Sequence, residues 1–266
     1  MIPSFRLALL SVALLVQTSM IFGSPEAAAQ NSKPDTSAEP GVHLPLSSKS
    51  DLNPFEIYRQ EHVSFSEGDG TGTQAMRVEV PEGEHYGMAM DYTLEEGLEE
   101  VHMRWKVYLP DAWTTANGHH MKFPGIAHTD RHGWGGRRSD GTGGWSVRVA
   151  FKDHHTSPDS ITAEYYVYHM DMGQWGSLYP WNGTLKRGEW IDIENYVRVN
   201  TPGEADGVIR AWVDGELVFE KEDLRFRAEG YEQYDVRDIM WHIYHGGAPS
   251  SPVDQHLYLR DLEIWY

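Results

Sequence analysis

The chain is 266 residues long, with 40 acidic and 22 basic side chains, a formal net charge of −18 and no cysteine. That balance excludes a nucleic-acid binder working through a diffuse basic surface, because neutralising phosphates needs many Lys and Arg. The missing thiols exclude disulfides and thiolate metal sites. Hydrophobic residues make up 40% of the chain, enough for one sizeable core, and 26 glycines, 10 tryptophans and 14 tyrosines point to a turn-rich β protein.

At the N-terminus, Arg6 precedes an apolar run from Leu7 to Val16 that weakens toward Phe22, and Ala27-Ala28-Ala29 precedes Gln30. A basic residue, an apolar run and a small-residue exit are the parts of a secretory signal peptide. Gln17, Thr18 and Ser19 interrupt the run, which is short for a bilayer span of ~20 residues. Residues 1–29 are therefore expected to be a cleaved leader that leaves no membrane anchor, and the mature protein to be secreted, extracellular or periplasmic. Residues 30–50 are rich in Pro and Ser without apolar periodicity and read as a flexible linker. Residues 51–266 then form one domain, a size that all-β domains routinely reach.

Period-two alternation marks strands at Val101–Leu109, Ile191–Val199, Val208–Glu220 and Leu257–Trp265. Asp214-Gly215 inside the third of these predicts a type I′ hairpin, because both residues tolerate the positive φ that turn requires. No segment carries a sustained helical stripe; Asp223 to Phe226 predicts at most a short turn. Many strands without crossover helices predict an antiparallel β-sandwich whose concave face would hold a chain-like ligand.

Charge is unevenly spread. Residues 119–155 hold Lys122, Arg131, Arg137, Arg138, Arg148 and Lys152 against Asp130, Asp140 and Asp153, a local net of +3 that leaves −21 for the remainder. Six of the 14 histidines lie there too, among Gly133, Gly135-Gly136, Gly141 and Gly143-Gly144. A basic, glycine-rich stretch between strands suits an anionic ligand, or else a solvated loop balancing an acidic neighbour. His119-His120, His128 and His132 lack HExxH spacing, so no metal site is expected. Within this region Arg148 sits mid-strand with Ser146 and Ala150 on its face, and Tyr166 and Tyr168 share a face of one strand.

From about Glu100 onward the motifs resemble polysaccharide lyase family 14, the alginate and polyuronate lyases. HMRWKVYLPDAW followed by MKFPG (Met121 to Gly125) is similar to the family's strand and "GGK-x-PG" turn. GGWSVRVAFK (Gly143 to Lys152) and YYVYHMD (Tyr165 to Asp171) resemble two further family strands. Asn200-Thr201-Pro202-Gly203 followed by Trp212-Val213-Asp214-Gly215 resembles its long C-terminal block. Met121 departs from the glycine usual before the lysine, and the loop after Gly125 is longer and more basic than the family pattern. The resemblance implies a concanavalin-like jelly roll and β-elimination of a uronic-acid polymer, alginate (polymannuronate) or glucuronan, to unsaturated oligouronides.

Such elimination needs a base for the C5 proton, a cation on the carboxylate and an acid for the leaving O4. A planar guanidinium matches a carboxylate bidentately, and a lysine ordinarily titrating near ~10.4 becomes useful only if like charge or burial lowers it. By analogy with the family, Lys122 and Tyr168 are assigned to proton transfer, with base and acid left open, and Arg148 and Tyr166 to carboxylate and sugar contacts. Arg137, Arg138, Trp145, His242 and Tyr244 are expected to bind substrate; Trp175 and Trp181 are further stacking candidates. His169, on the opposite face from Tyr168, is expected to be structural. Bland readings exist: packing tyrosines, an exposed lysine, and Arg148 bridged to Glu164 or Glu194. No cofactor is needed for this chemistry; a structural calcium is compatible with the acidic shell, although no EF-hand loop is visible. The expected partner is an anionic polysaccharide, with no nucleic acid, and the protein is expected to be a monomer. Two rivals remain. A jelly-roll glycoside hydrolase would use Glu189, Asp192 and Glu194, of which Glu189 has the wrong parity; a non-catalytic carbohydrate-binding module would need neither.

Overall fold

A computed structural model describes residues 39–266, apart from 54, 69–71, 116–117, 155 and 158. The expected leader and the first part of the expected linker lie outside the described residues. The strands, in chain order, begin with β1 (Val42–Leu44), β2 (Ile57–Tyr58), β3 (Val63–Glu67), β4 (Gln74–Val80), β5 (Tyr86–Leu98) and β6 (Glu100–Tyr108). Then come β7 (Met121–His128), β8 (Trp145–Asp153), β9 (Ser160–Tyr168), β10 (Ser177–Pro180) and β11 (Leu185–Lys186). The chain closes with β12 (Trp190–Arg198), β13 (Gly207–Val213), β14 (Glu216–Leu224), β15 (Val236–His245) and β16 (Gln255–Trp265). Only two short 3-10 turns, Lys49–Leu52 and Gln60–His62, interrupt the strands among the described residues.

These strands form two antiparallel sheets. The first runs β14-β13-β12-β6-β16-β4-β3 with β1 against β16, and the second runs β10-β9-β8-β7-β15-β5-β2 with β11 against β9. The architecture is the expected jelly-roll sandwich. Its core is made by the inward residues of each alternating strand: Trp105 of the first sheet meets the ring of Trp241 at 5.8 Å and that of Phe123 at 6.1 Å. Burying such large aromatic faces supplies most of the drive to close the sandwich.

Three of the segments read from alternation appear as β6, β12 and β16 within a residue or two of their expected bounds, and the fourth, Val208–Glu220, is the β13–β14 hairpin, which runs four residues further, to Leu224. The hairpin forms as predicted, with Asp214 at φ 49° and Gly215 at φ 83° between β13 and β14. Two expectations need correcting. Part of the expected linker is structured: Val42–Leu44 pairs with Leu262–Ile264, and Leu46 is fully buried. Proline and serine content hid a short edge strand whose register comes from the far end of the chain. The expected turn at Asp223 is instead the end of β14, which continues through Leu224.

The Asn200 motif proves to be a structural lock. Fully buried, Asn200 donates from its amide to the carbonyls of Thr201, Glu204 and Arg227, and its Oδ1 accepts the backbone N–H groups of Phe226 and Arg227. This one side chain ties the β12 exit to the segment after β14. Asn200→Ala leaves several buried backbone groups without partners and is expected to cost about 3–5 kcal/mol, read as a lowered urea midpoint.

Candidate active site

Four neighbouring strands of the second sheet, β9-β8-β7-β15, carry the candidate residues on the face turned away from the core. The pleat decides which. On β8, Trp145, Val147, Val149 and Phe151 enter the core, so Ser146, Arg148 and Ala150 point outward. On β9 the same alternation buries Tyr165 and Val167 and turns out Glu164, Tyr166 and Tyr168. Cross-strand register then sets Arg148 opposite Tyr166, Ser146 opposite Tyr168, and Lys122 opposite both Ala150 and Tyr244. Between Lys122 and Gly125 the β7–β8 register shifts, as a proline-containing bulge allows. The strands crowd there: a Cβ on Gly125 would lie 2.4 Å from the Val147 carbonyl oxygen and 2.9 Å from the Arg148 Cα.

Lys122 is the centre of the cluster. Its side chain is only 6% exposed, and its Nζ stands 3.6 Å above the Tyr166 ring and 5.5 Å from that of Tyr244. Burial first, and then the Arg148 charge, lower its pKa from 10.5 to about 7. Proximity to arginine was legible in the sequence; the larger cause, burial, was not.

Arg148 donates from Nη1 to the Tyr244 hydroxyl at 2.7 Å and from Nη2 to the Met240 sulfur at 3.3 Å, while its buried Nε has no partner. Among the described residues no carboxylate pairs with it. Both acids that could have bridged it are engaged elsewhere. Glu164, 1% exposed, accepts from Lys152 at 3.0 Å and lies 3.2 Å from His120. Burial would push that carboxyl up, but these two partners outweigh it and hold it below the usual carboxylate range. Glu194 lies in the other sheet, 3.2 Å from His102. The result is an arginine and a lysine side by side with no anion of their own, an arrangement that burial makes costly unless an anion is supplied.

The tyrosines are held in place. Tyr166 accepts the Gly176 N–H at 3.2 Å, and burial followed by the neighbouring Tyr168 hydroxyl raises its pKa, so it remains a neutral phenol. Tyr168 accepts the Gly136 N–H at 3.1 Å and meets the Tyr166 ring edge-on at 5.5 Å. Tyr244 stacks on Tyr86 at 4.9 Å. His242 shares the face of Tyr244 and hydrogen-bonds Asp91 at 2.9 Å; burial holds its pKa down.

The structure thus brings together Lys122, Arg148, Tyr166, Tyr168, Tyr244 and His242. Arg137 and Arg138 stand on the loop before β8 rather than on the sheet, directly after Gly136, whose N–H meets the Tyr168 hydroxyl. Lys122 and Arg148 themselves stand on strands, so the basic segment is not one loop. Trp145 does not belong to the site: it is fully buried, and its indole N–H donates to the Tyr234 carbonyl at 2.8 Å. Its odd parity relative to Arg148 already carried that information. Trp181 is likewise a core residue, whereas Trp175 is 63% exposed beside the Gly136 loop. His169 is structural, bonded to Ser177 and Tyr179. Residues not foreseen are Tyr86 and His120, whose ring lies 5.5 Å from that of Tyr166. His120 stands two residues before Lys122, and that spacing was the available signal. Among the described residues no group of three or more His, Asp or Glu is placed to hold a metal ion.

Gly246 gives a direct test of the lysine's position. A Cβ there would lie 2.8 Å from Lys122 Nζ. Gly246→Ala is expected to displace the ammonium from the Tyr166 ring and cut turnover about ten- to a hundredfold, with an unchanged circular dichroism spectrum.

The hydrolase carboxylates are elsewhere. Asp192 is clamped by Arg104 and Glu194 faces His102, both on the outward face of the first sheet, and Glu189 lies near Lys186. None of these three acids belongs to the Lys122 cluster.

The comparisons agree with this architecture. The structure is similar to that of the alginate lyase Aly36B, solved as a double mutant in complex with alginate tetrasaccharide (18% identity over 86% of this chain and 98% of that one, TM-score 0.69). It is also similar to a marine PL-14 alginate lyase from Aplysia kurodai (16% identity over 85% and 99%, TM-score 0.69). A third similar structure is an endo-β-1,4-glucuronan lyase from the fungus Trichoderma reesei (12% identity over 85% and 95%, TM-score 0.57). No functionally curated protein matches the chain in sequence. The family model for polysaccharide lyase 14 matches residues 69–262, nearly the whole sandwich and every residue of the cluster around Lys122, and the chain therefore belongs to the polysaccharide lyase 14 family.

Proposed function

We propose that this lyase cleaves a uronic-acid polymer, alginate (polymannuronate) or glucuronan, by β-elimination on the Lys122 face. The observation that carries the reading is the buried Lys122, titrating at about 7, beside an Arg148 that no carboxylate of the described residues neutralises. In this reading a uronate carboxylate seats on Arg148, which draws charge out of the sugar and weakens the C5–H bond. Lys122, as the neutral amine, takes the C5 proton. The electron pair forms the C4–C5 double bond, the C4–O4 bond breaks, and Tyr168 gives its proton to O4. Tyr166 supports the amine and contacts the sugar; Tyr244 and His242 flank the carboxylate. A base titrating near 7 is matched to neutral pH, where an ordinary lysine would be protonated. The N-terminal leader pattern supports export, so that in this reading the enzyme meets its polymer outside the cytoplasm.

The test is incubation of the mature protein with alginate, glucuronan and a neutral β-glucan. Ultraviolet absorbance from unsaturated uronate is expected with one of the acidic polymers and not with the glucan. New reducing ends without that absorbance overturn the reading in favour of hydrolysis, and binding without either leaves a carbohydrate-binding module.

A further inference from the structure

Outside the Lys122 cluster, a cleft of about 750 Å³ is lined by Arg131, Arg137, Arg138, Arg225, Met170 and one acid, Asp140, among others. The charges there are not equivalent. Arg225 is paired with Asp171, Arg131 with Asp130, and His132 with Asp140. Arg137 and Arg138 have no ion-pair partner among the described residues. Arg137 instead lies flat over the Trp134 indole, 3.8 Å from its centroid. Arg138 senses the charge of Asp171, whose carboxylate is already held by Arg225, so in a chain of net charge −18 these two adjacent arginines stand on a loop with no acid of the described residues in contact.

The loop is also preorganised. Trp134 and Arg137 close a tight turn through the Arg137 N–H to Trp134 carbonyl bond at 2.9 Å. Ser146 Oγ, on the strand of Arg148, donates to the Gly133 carbonyl at 2.6 Å. Gly136, at φ 80°, turns its N–H onto the Tyr168 hydroxyl at 3.1 Å. Against Gly136 packs Trp175, which is 63% exposed although large indoles usually find cover. An exposed indole against the glycine that precedes these two arginines suits a sugar ring that carries a carboxylate.

We propose that Arg137, Arg138 and Trp175 form a distal subsite for a uronate residue further along the same chain than the one on Arg148. The subsite makes the enzyme favour long polyuronates over short oligouronides, and it joins polymer recognition to Tyr168 through the Gly136 N–H. This rests on the proposed lyase reading of the Lys122 face.

The experiment measures chain-length dependence. In the wild type, kcat/KM is expected to be higher for a hexauronate than for a triuronate. Arg137→Ser/Arg138→Ser is expected to reduce that hexamer-to-trimer ratio about fivefold or more, and Trp175→Ala to reduce it independently. An unchanged ratio, or an equal loss on both substrates, overturns the subsite. The same ratio is measured as affinities by calorimetry on Lys122→Ala, with and without the loop substitutions. If the wild type makes no unsaturated product, the lyase reading fails on its own and the calorimetric ratio still decides the subsite. A ratio unaffected by the loop substitutions, or no hexauronate binding at all, overturns it.

Discussion

Lys122→Ala is expected to lower polyuronate turnover about a thousandfold or more while the protein remains folded. Removing a desolvated ammonium from beside Arg148 relieves a repulsion, so the urea midpoint at neutral pH is expected to stay the same or rise. A midpoint that falls together with the activity would instead make Lys122 a structural residue. The pH dependence separates base from acid. With Lys122 lowered to about 7, mainly by burial and then by Arg148, the neutral amine accumulates as pH rises through 7. As the proposed base it makes kcat climb through that range; a kcat that falls there would make Lys122 the acid instead. Stability carries the same signature. The unfolded lysine titrates near ~10.4, so between about 7 and that value the unfolded state binds more protons than the folded one. Stability therefore rises with pH across that window, and Lys122→Met removes that rise.

Arg148→Ala is expected to reduce kcat about a hundredfold to a thousandfold, the usual scale for removing a group that meets developing charge. It also carries a second readout. Arg148 is the second cause of the lowered lysine pKa, after burial. Without it the lysine is more easily protonated, and the alkaline shift of the remaining pH profile is expected to be visible in a variant active enough to assay. Arg148→Lys keeps the charge but loses the fork, so it should restore the profile more than the rate. Rate loss without any shift of the profile would mean that Arg148 and Lys122 do not sense each other.

The strongest family signals in the sequence were not those that carry the chemistry. The Asn200 block and the Asp214-Gly215 hairpin resemble the family closely because each solves a backbone problem: five polar contacts from one buried amide, and two consecutive residues at positive φ. The proposed chemistry sits in shorter matches, on strands where period-two parity suffices to place Arg148 with Ser146 and Tyr166 with Tyr168. The same parity, applied strictly, would have put Trp145 in the core. Tyr86 reaches Tyr244 only because β5 and β15 pair across a long stretch of chain, and no local pattern announces that register.

By itself, then, the sequence determined what depends on neighbours along the chain. The alternation of the strands, the handedness of the hairpin and the faces of Arg148, Tyr166 and Tyr168 all follow from the pleat and from φ preferences within a few residues. Tertiary structure alone decided which acids neutralise which bases, and how much water each group loses. Glu164 could have met Arg148, yet cross-strand register gives it to Lys152 and His120. The net charge of −18 argued against an acidic ligand only because it averages the molecule. Coulomb and desolvation energies depend on distances of a few ångströms. It is the fold that buries Lys122, leaves Arg148 without an acid among the described residues and so makes a cationic site in an acidic protein.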